Sequence, residues 1–293
     1  MSYVINWTGA RPALLPYIAR LAEYAPKSQR VIDPFCGGLD AALGMGISRG
    51  IMTDSNPDLI NYLSVICDTH RVGVEYLRAP LDGLTDDPDC YRKVKESHNE
   101  EILSATDERC NFNDNDFDYR VQLAAEFWYL SRYAFRSIPR YNSSGQVTSS
   151  YGPRGIQPAV LFQHDVIDRW NQIKLITGFE FRCQDFSWLN AAAAAGEIGS
   201  GDLVYFDPPF LSSRNPRLTS FGAVRWDDVL ATARVCAEAG AAVIFSGPDH
   251  DELRSDLSKA GFHNDVVAVR NGTHRTYETL AATFNFKTPL DGY

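Results

Sequence analysis

The chain is 293 residues long and 44% apolar, with six cysteines and a formal net charge of −9. That composition fits a globular protein with a sizeable core, and no apolar run approaches the ~20 residues of a membrane span. The opening MSYVINWTGARP lacks the charged-then-apolar order of a signal peptide, and the cysteines show neither CxxC spacing nor a small-scaffold framework. A cytoplasmic, reduced protein with no membrane and no metal is expected.

In chain order, PALLPYIARLAEYAP (12–26) has helical apolar spacing between proline stops. QRVIDPFCGG reads as a strand over 30–32 meeting a glycine turn, and LDAALGMGI as the helix that follows. GIMTD is a second strand ending at Asp54. NPDLINYLSVI starts a helix, with Asn56 as cap and Pro57 at its first position. Such β–turn–α–β–α alternation implies a parallel sheet covered by helices. Over 67–163 the rhythm breaks, leaving helical stretches at 90–103 and 118–135 and a polar segment, RYNSSGQVTSSYGPRG. Alternation resumes with a strand to Cys183, an Ala-rich helix near 190–195, the strand LVYF, a helix over 226–239 and the strand AAVIFS. A helix over 249–260 and the strands DVVAV and TLAATFNF complete it. The reading is an α/β sheet domain of residues 1–66 and 165–293, interrupted by a mostly helical insert, 67–164, about the size of a small domain.

The acidic balance argues superficially against a nucleic-acid partner, but distribution matters more than the sum. Acids cluster over 82–118, whereas 127–164 holds none and carries Arg132, Arg136, Arg140 and Arg154. Residues 211–226 are also free of acids and carry Arg214, Arg217 and Arg225. Two such stretches could line one anion-binding face, or be ordinary solvated arginines.

VIDPFCGG puts Asp33 at a strand end before Gly37 and Gly38, where ligands of open α/β sheets sit. It is not GxGxxG, and an acid there suits a cationic group better than a phosphate. Asp54 ends the next strand about 20 residues on, the spacing at which a carboxylate accepts ribose hydroxyls. Each acid alone reads more readily as a turn residue or cap; together they suggest a nucleoside with a positive end, which S-adenosylmethionine is. LVYFDPPF (203–210) then becomes intelligible, since Pro must end the strand. Asp207 and the Pro208 carbonyl can accept the two N–H groups of an exocyclic amine, Pro209 keeps the turn rigid, and Phe210 offers a stacking face for a flipped base. The transfer needs alignment rather than a metal. A lone DPPF could equally be a rigid turn.

At this point the chain resembles the DNA N6-adenine methyltransferases of the Dam type (D12 class, alpha group). NWTGARPALLPYI resembles the family's KWxGGK opening, DPFCGG its [DE]PFxGGG turn and TDSNPDLIN its DxNx[DE]LIN segment. FWYLSRYAFRSIPRYNSSGQ matches the spacing of its recognition stretch, CQDF its donor-adenine segment and DPPF its catalytic motif. The resemblance implies a Rossmann-like S-adenosylmethionine-dependent sheet. It further implies a donor pocket of Trp7, Arg11, Asp33, Pro34, Phe35, Gly37, Asp54, Asn56, Asp185 and Phe186, and an adenine held by Asp207, Pro208, Pro209 and Phe210. On duplex DNA, Arg132 would touch a phosphate, Phe135 would wedge into the stack beside Arg136, Arg140 would read a guanine, Asn142 would support the loop, and Arg154 would join them. A monomer is implied, and a cognate restriction nuclease stays open as a partner.

Departures from the family pattern cluster at the rims. Ala10 and Arg11 replace Gly-Lys, Leu39 replaces the third glycine, Arg136 and Ser137 stand where Asn-Gly is usual, and QVTSSYG replaces FNVPxG. The target GATC is therefore not assumed. Cytosine-N4 methylation and an inactive DNA-binding relative are the rival readings. SGPDH (246–250) reads as a rim of the base pocket or a plain turn, and RNGTHRTYETL as a hairpin near DNA.

Overall fold

The computed structural model describes residues 4–5, 7, 11–26, 30–68, 74–104, 117–167, 178–209, 218–219, 222–271 and 274–286. Phe210, Arg214 and Arg217 lie outside them. The strands are β1 (Arg30–Asp33), β2 (Gly50–Asp54), β3 (Phe179–Cys183), β4 (Asp202–Phe206), the short pair β5 (Leu218–Thr219) and β6 (Gly222–Ala223), β7 (Ala242–Pro248), β8 (His263–Asn271) and β9 (His274–Ala282).

β1, β2 and β4 are almost continuously buried, as strands covered on both faces must be. The main sheet has the order β3-β2-β1-β4-β7-β9-β8. The first five strands run parallel, while β9 lies antiparallel between β7 and β8. Strand order reverses at β1, between β2 and β4. The crevice at their carboxyl ends is where a ligand of such a sheet sits.

Several strand boundaries differ from the sequence expectation, chiefly in β7, in β9 and in β8, which runs His263–Asn271 rather than DVVAV alone. β7 runs on through Gly247 and Pro248, so SGP is strand and not turn. β9 begins at His274 and stops at Ala282, so TFNF lies beyond it. The cause is pairing: β9 is laddered on both sides, to β7 and β8, and that ladder outweighs the local sequence pattern. Cys36, Cys67, Cys90 and Cys236 are free thiols, but Cys183 is disulfide-bonded, a departure from fully reduced cysteines.

Helix α1 (Leu15–Glu23) packs its Leu15, Ile18 and Leu21 with β4, β7, β8 and β9 on one face. Between β1 and β2 lies the short helix α2 (Asp40–Gly44), and α3 (Pro57–Asp68) follows β2. Helices α4 (Pro88–Ser104) and α5 (Phe117–Arg132) come next in the chain, and α5 lies against α3. Phe127 and Trp128 of α5 thereby share one core with Val31 and Met52 of the sheet. Buried His98 of α4 sits 3.3 Å from both Asp58 of α3 and Glu126 of α5. Burial lowers its pKa, but the two carboxylates outweigh that and hold it at about 9. A charged imidazole thus ties three helices together.

Candidate active site

Asp33 ends β1 and is 1% exposed, its Oδ1 accepting the Phe35 amide at 3.1 Å. Burial pushes its carboxyl up to about 7, and nearby Asp54 adds to the shift. Burial likewise raises Asp54, at the end of β2, to about 6 against hydrogen bonds from Asn56, Gly37 and Ser55. Asn56 caps α3, its Oδ1 accepting the amides of Asp58 and Leu59, as its Asn-Pro start predicts. Between the two acids runs the DPFCGG turn. Gly37 has φ +46, and a Cβ there would stand 3.0 Å from Trp7 Cδ1, so the indole lies directly over the turn. Phe35 stacks on Phe186 at 5.5 Å, with Pro34 and Phe186 buried. Asp185 is exposed, its Oδ1 fixed by the Ser187 amide at 2.7 Å. A buried and a half-buried carboxylate, both incompletely compensated, beside a turn with no room for a side chain fit a nucleoside donor carrying a positive group.

The base side is built on β4. Because β1 and β4 are adjacent and parallel, with Ile32 opposite Val204, Asp33 and the Asp207-Pro208-Pro209 turn emerge at the same edge. The Asp207 carboxylate is ion-paired with the Arg11 guanidinium. Arg11 also donates to Glu278 at 2.7 Å and to Ser246 Oγ at 3.0 Å, and Ser246 shares a 2.6 Å hydrogen bond with Tyr205. Glu278 is 7% exposed; burial raises its pKa and Arg11 opposes the rise. Sequence reasoning gave no site role to Glu278 or Tyr205. Ser246 had a signal in SGPDH, whereas Glu278 is 267 residues from Arg11 and only sheet register reveals it.

The recognition segment forms a short finger after α5. Phe135 is 56% exposed, and Arg136 lies over its ring at 5.3 Å. The finger is clamped from behind: a Cβ on Gly152 would meet Phe135 Cα at 2.9 Å, and the Phe135 amide donates to the Ser150 carbonyl. Arg154 donates from Nε to the Arg132 carbonyl at 2.5 Å and from a terminal nitrogen to the Ala134 carbonyl at 2.7 Å. Arg132 is paired with Asp165 at 2.6 Å. Asn142 Oδ1 accepts the amides of Ser144 and Gln146, holding its turn, and the Arg140 side chain is exposed. So Phe135, Arg136 and Arg140 face outward, whereas Arg132 and Arg154 spend their charge inside the protein.

Three described non-glycine residues have positive φ: Leu39 (66°), Arg136 (62°) and Ser137 (54°). These are the positions where the resembling family carries Gly, Asn and Gly. Here a left-handed backbone is carried by residues that do not favour it.

The family model for D12 class N6 adenine-specific DNA methyltransferases matches residues 7–238. The DNA N-6-adenine-methyltransferase of Escherichia phage P1 is 26% identical over 215 residues, 71% of this chain but 24% of that longer protein. The DNA adenine methylase of Escherichia coli (strain K12) is 26% identical over 294 residues, covering 96% of this chain and 94% of its own. Among solved structures, a SAM-dependent methyltransferase from Agrobacterium tumefaciens aligns over 94% of this chain and 62% of its own, at 9% identity and a TM-score of 0.39.

Proposed function

The chain belongs to the D12 class of N6 adenine-specific DNA methyltransferases, and from that membership we propose how its residues divide the work. The enzyme methylates the N6 amine of adenine in DNA from S-adenosylmethionine, not the N4 amine of cytosine. That donor supplies a methyl group on an electrophilic sulfonium. Asp33 meets its ammonium, Asp54 its ribose, and Trp7, Phe35, Asp185 and Phe186 surround the remainder. Asp207 and the Pro208 carbonyl accept the two amine hydrogens. Drawing the amine toward tetrahedral geometry aims its lone pair at the methyl group. With the donor bound, the proton that the amine gives up on methylation would pass along its hydrogen bond to Asp207 and from there to solvent. Pro209 holds the turn, and Phe210 stacks on the flipped base. Residues 1–66 and 165–293 carry the chemistry, and 67–164 the reading of duplex DNA, with Phe135 as wedge and Arg140 as reader.

The observation carrying this reading is the shared exit of Asp33 and Asp207 from adjacent parallel strands at the point where strand order reverses. Asp207→Ala tests it. Methyl incorporation into DNA should fall by about 10²-fold or more while donor affinity, by calorimetry, holds. Near-normal turnover would sink the role given to Asp207.

A further inference from the structure

The sheet order sets two elements at opposite ends of the carboxyl edge. The recognition segment follows α5, which packs on α3 over the β2–β3 end. At the other end, β8 and β9 run on past their neighbour. β7 stops at Pro248, opposite Glu278, but the β8–β9 ladder continues through Ala268–Tyr277, Val269–Thr276, Arg270–Arg275 and Asn271–His274. Four further residues at about 3.4 Å each make an overhang of roughly 13 Å. It projects from the edge that bears the site, since Glu278 at its root holds Arg11 and, through it, Asp207.

Directly opposed residues of an antiparallel pair share a face, so Arg270 and Arg275 stand side by side, followed by Tyr277. All three are exposed, and Arg275 lies 6.0 Å over the Tyr277 ring. Val267 and Val269 alternate to the other face and are buried with α1. Neither arginine forms an ion pair among the described residues, and no acid occurs between Asp265 and Glu278. Of the acids that follow β7, Asp249 and Asp251 are already paired with Arg254. β2 and β9 are four strand spacings apart, roughly 19 Å, or between about five and six base pairs of duplex.

We propose that the β8–β9 hairpin is a second DNA-holding arm, with Arg270 and Arg275 binding backbone phosphates of the duplex on the far side of the target adenine from the recognition finger. The planar guanidinium fork suits phosphate oxygens, and such contacts position the duplex without reading it. The proposal rests on DNA being the substrate, not on the role given to Asp207.

The test is binding of the intact enzyme to a duplex of random sequence between about 50 and 200 mM salt. Arg270→Ala with Arg275→Ala should make the slope of log affinity against log salt shallower by about 1.8, the release expected for two phosphates. Arg270→Gln with Arg275→Gln, which removes the charge at similar length, should do the same, while the paired lysine variant keeps most of the slope. An unchanged slope in the alanine and glutamine pairs overturns the proposal. So does an unchanged slope joined to a shifted methylation sequence, which would make these residues base readers.

Discussion

Arg11 and Asp207, 196 residues apart, are joined by an ion pair, and the same guanidinium reaches the buried Glu278. One cation thus serves two acids, each from a different nitrogen of the guanidinium fork. At the position where the resembled family carries lysine, Arg11 bridges the Asp207 turn and β9.

Removing that bridge should destabilise the fold in a pH-dependent way. Arg11→Met leaves Glu278 buried and unpaired, a change that costs about 3 kcal/mol for a buried charge. Glu278 can escape by taking a proton, and burial already raises its pKa. The loss should therefore be larger at pH 8 than at pH 5, measured by denaturant unfolding. A pH-independent loss would refute the account, and Arg11→Met with Glu278→Gln should recover part of the stability.

Donor affinity should rise with pH. Asp33 is held at about 7 and Asp54 at about 6, both raised chiefly by burial. An acid with a raised folded pKa binds protons that the unfolded chain has released. Its contribution is therefore present below the unfolded value, ~3.9, and fades as pH climbs toward 7. Donor binding works in the opposite direction, because an ammonium and ribose hydroxyls favour ionised partners. Calorimetry from pH 5.5 to 8 should show affinity climbing and then levelling above about 7. Asp33→Asn should flatten the climb; a flat wild-type profile excludes the pairing.

Leu39→Gly should destabilise the protein although it restores the family's residue. A left-handed leucine costs about 1–2 kcal/mol, which glycine relieves. Leu39 is also fully buried among the residues around β1 and α3, and emptying such a site costs about 2–5 kcal/mol. Burial wins, for a net loss of about 1–3 kcal/mol in thermal or denaturant unfolding. A gain would mean that the core closes over the gap.

Much of this architecture is legible in the sequence because it is local. Apolar runs closed at Asp33, Asp54 and Asp207 announce strands and where they end, and Asn56-Pro57 announces a helix start. What stays hidden is set by register and by the path of the chain. Nothing near Glu278 in sequence marks it as Arg11's partner; its place follows from β9 inserting between β7 and β8. The arginines of the recognition segment look alike on the page. Packing alone separates Arg140, which faces solvent, from Arg154, which is bonded to backbone.

That separation gives the last prediction. Arg154 satisfies the Arg132 and Ala134 carbonyls, while Asp86 accepts the Arg154 and Gly155 amides and the Tyr151 hydroxyl behind it. Arg154→Ala strips two carbonyls of a charged donor, so unfolding should ease by about 1.5–3 kcal/mol, and the Phe135 finger loses its clamp. DNA binding then weakens on every sequence alike. Arg140→Ala should leave stability within about 0.5 kcal/mol, since its side chain is exposed. Its effect falls on one base pair, where discrimination drops by about 1–3 kcal/mol. Methylation-aware sequencing with both variants, beside their melting curves, separates the roles. If Arg154→Ala keeps full stability while relaxing one base position, the two assignments are reversed.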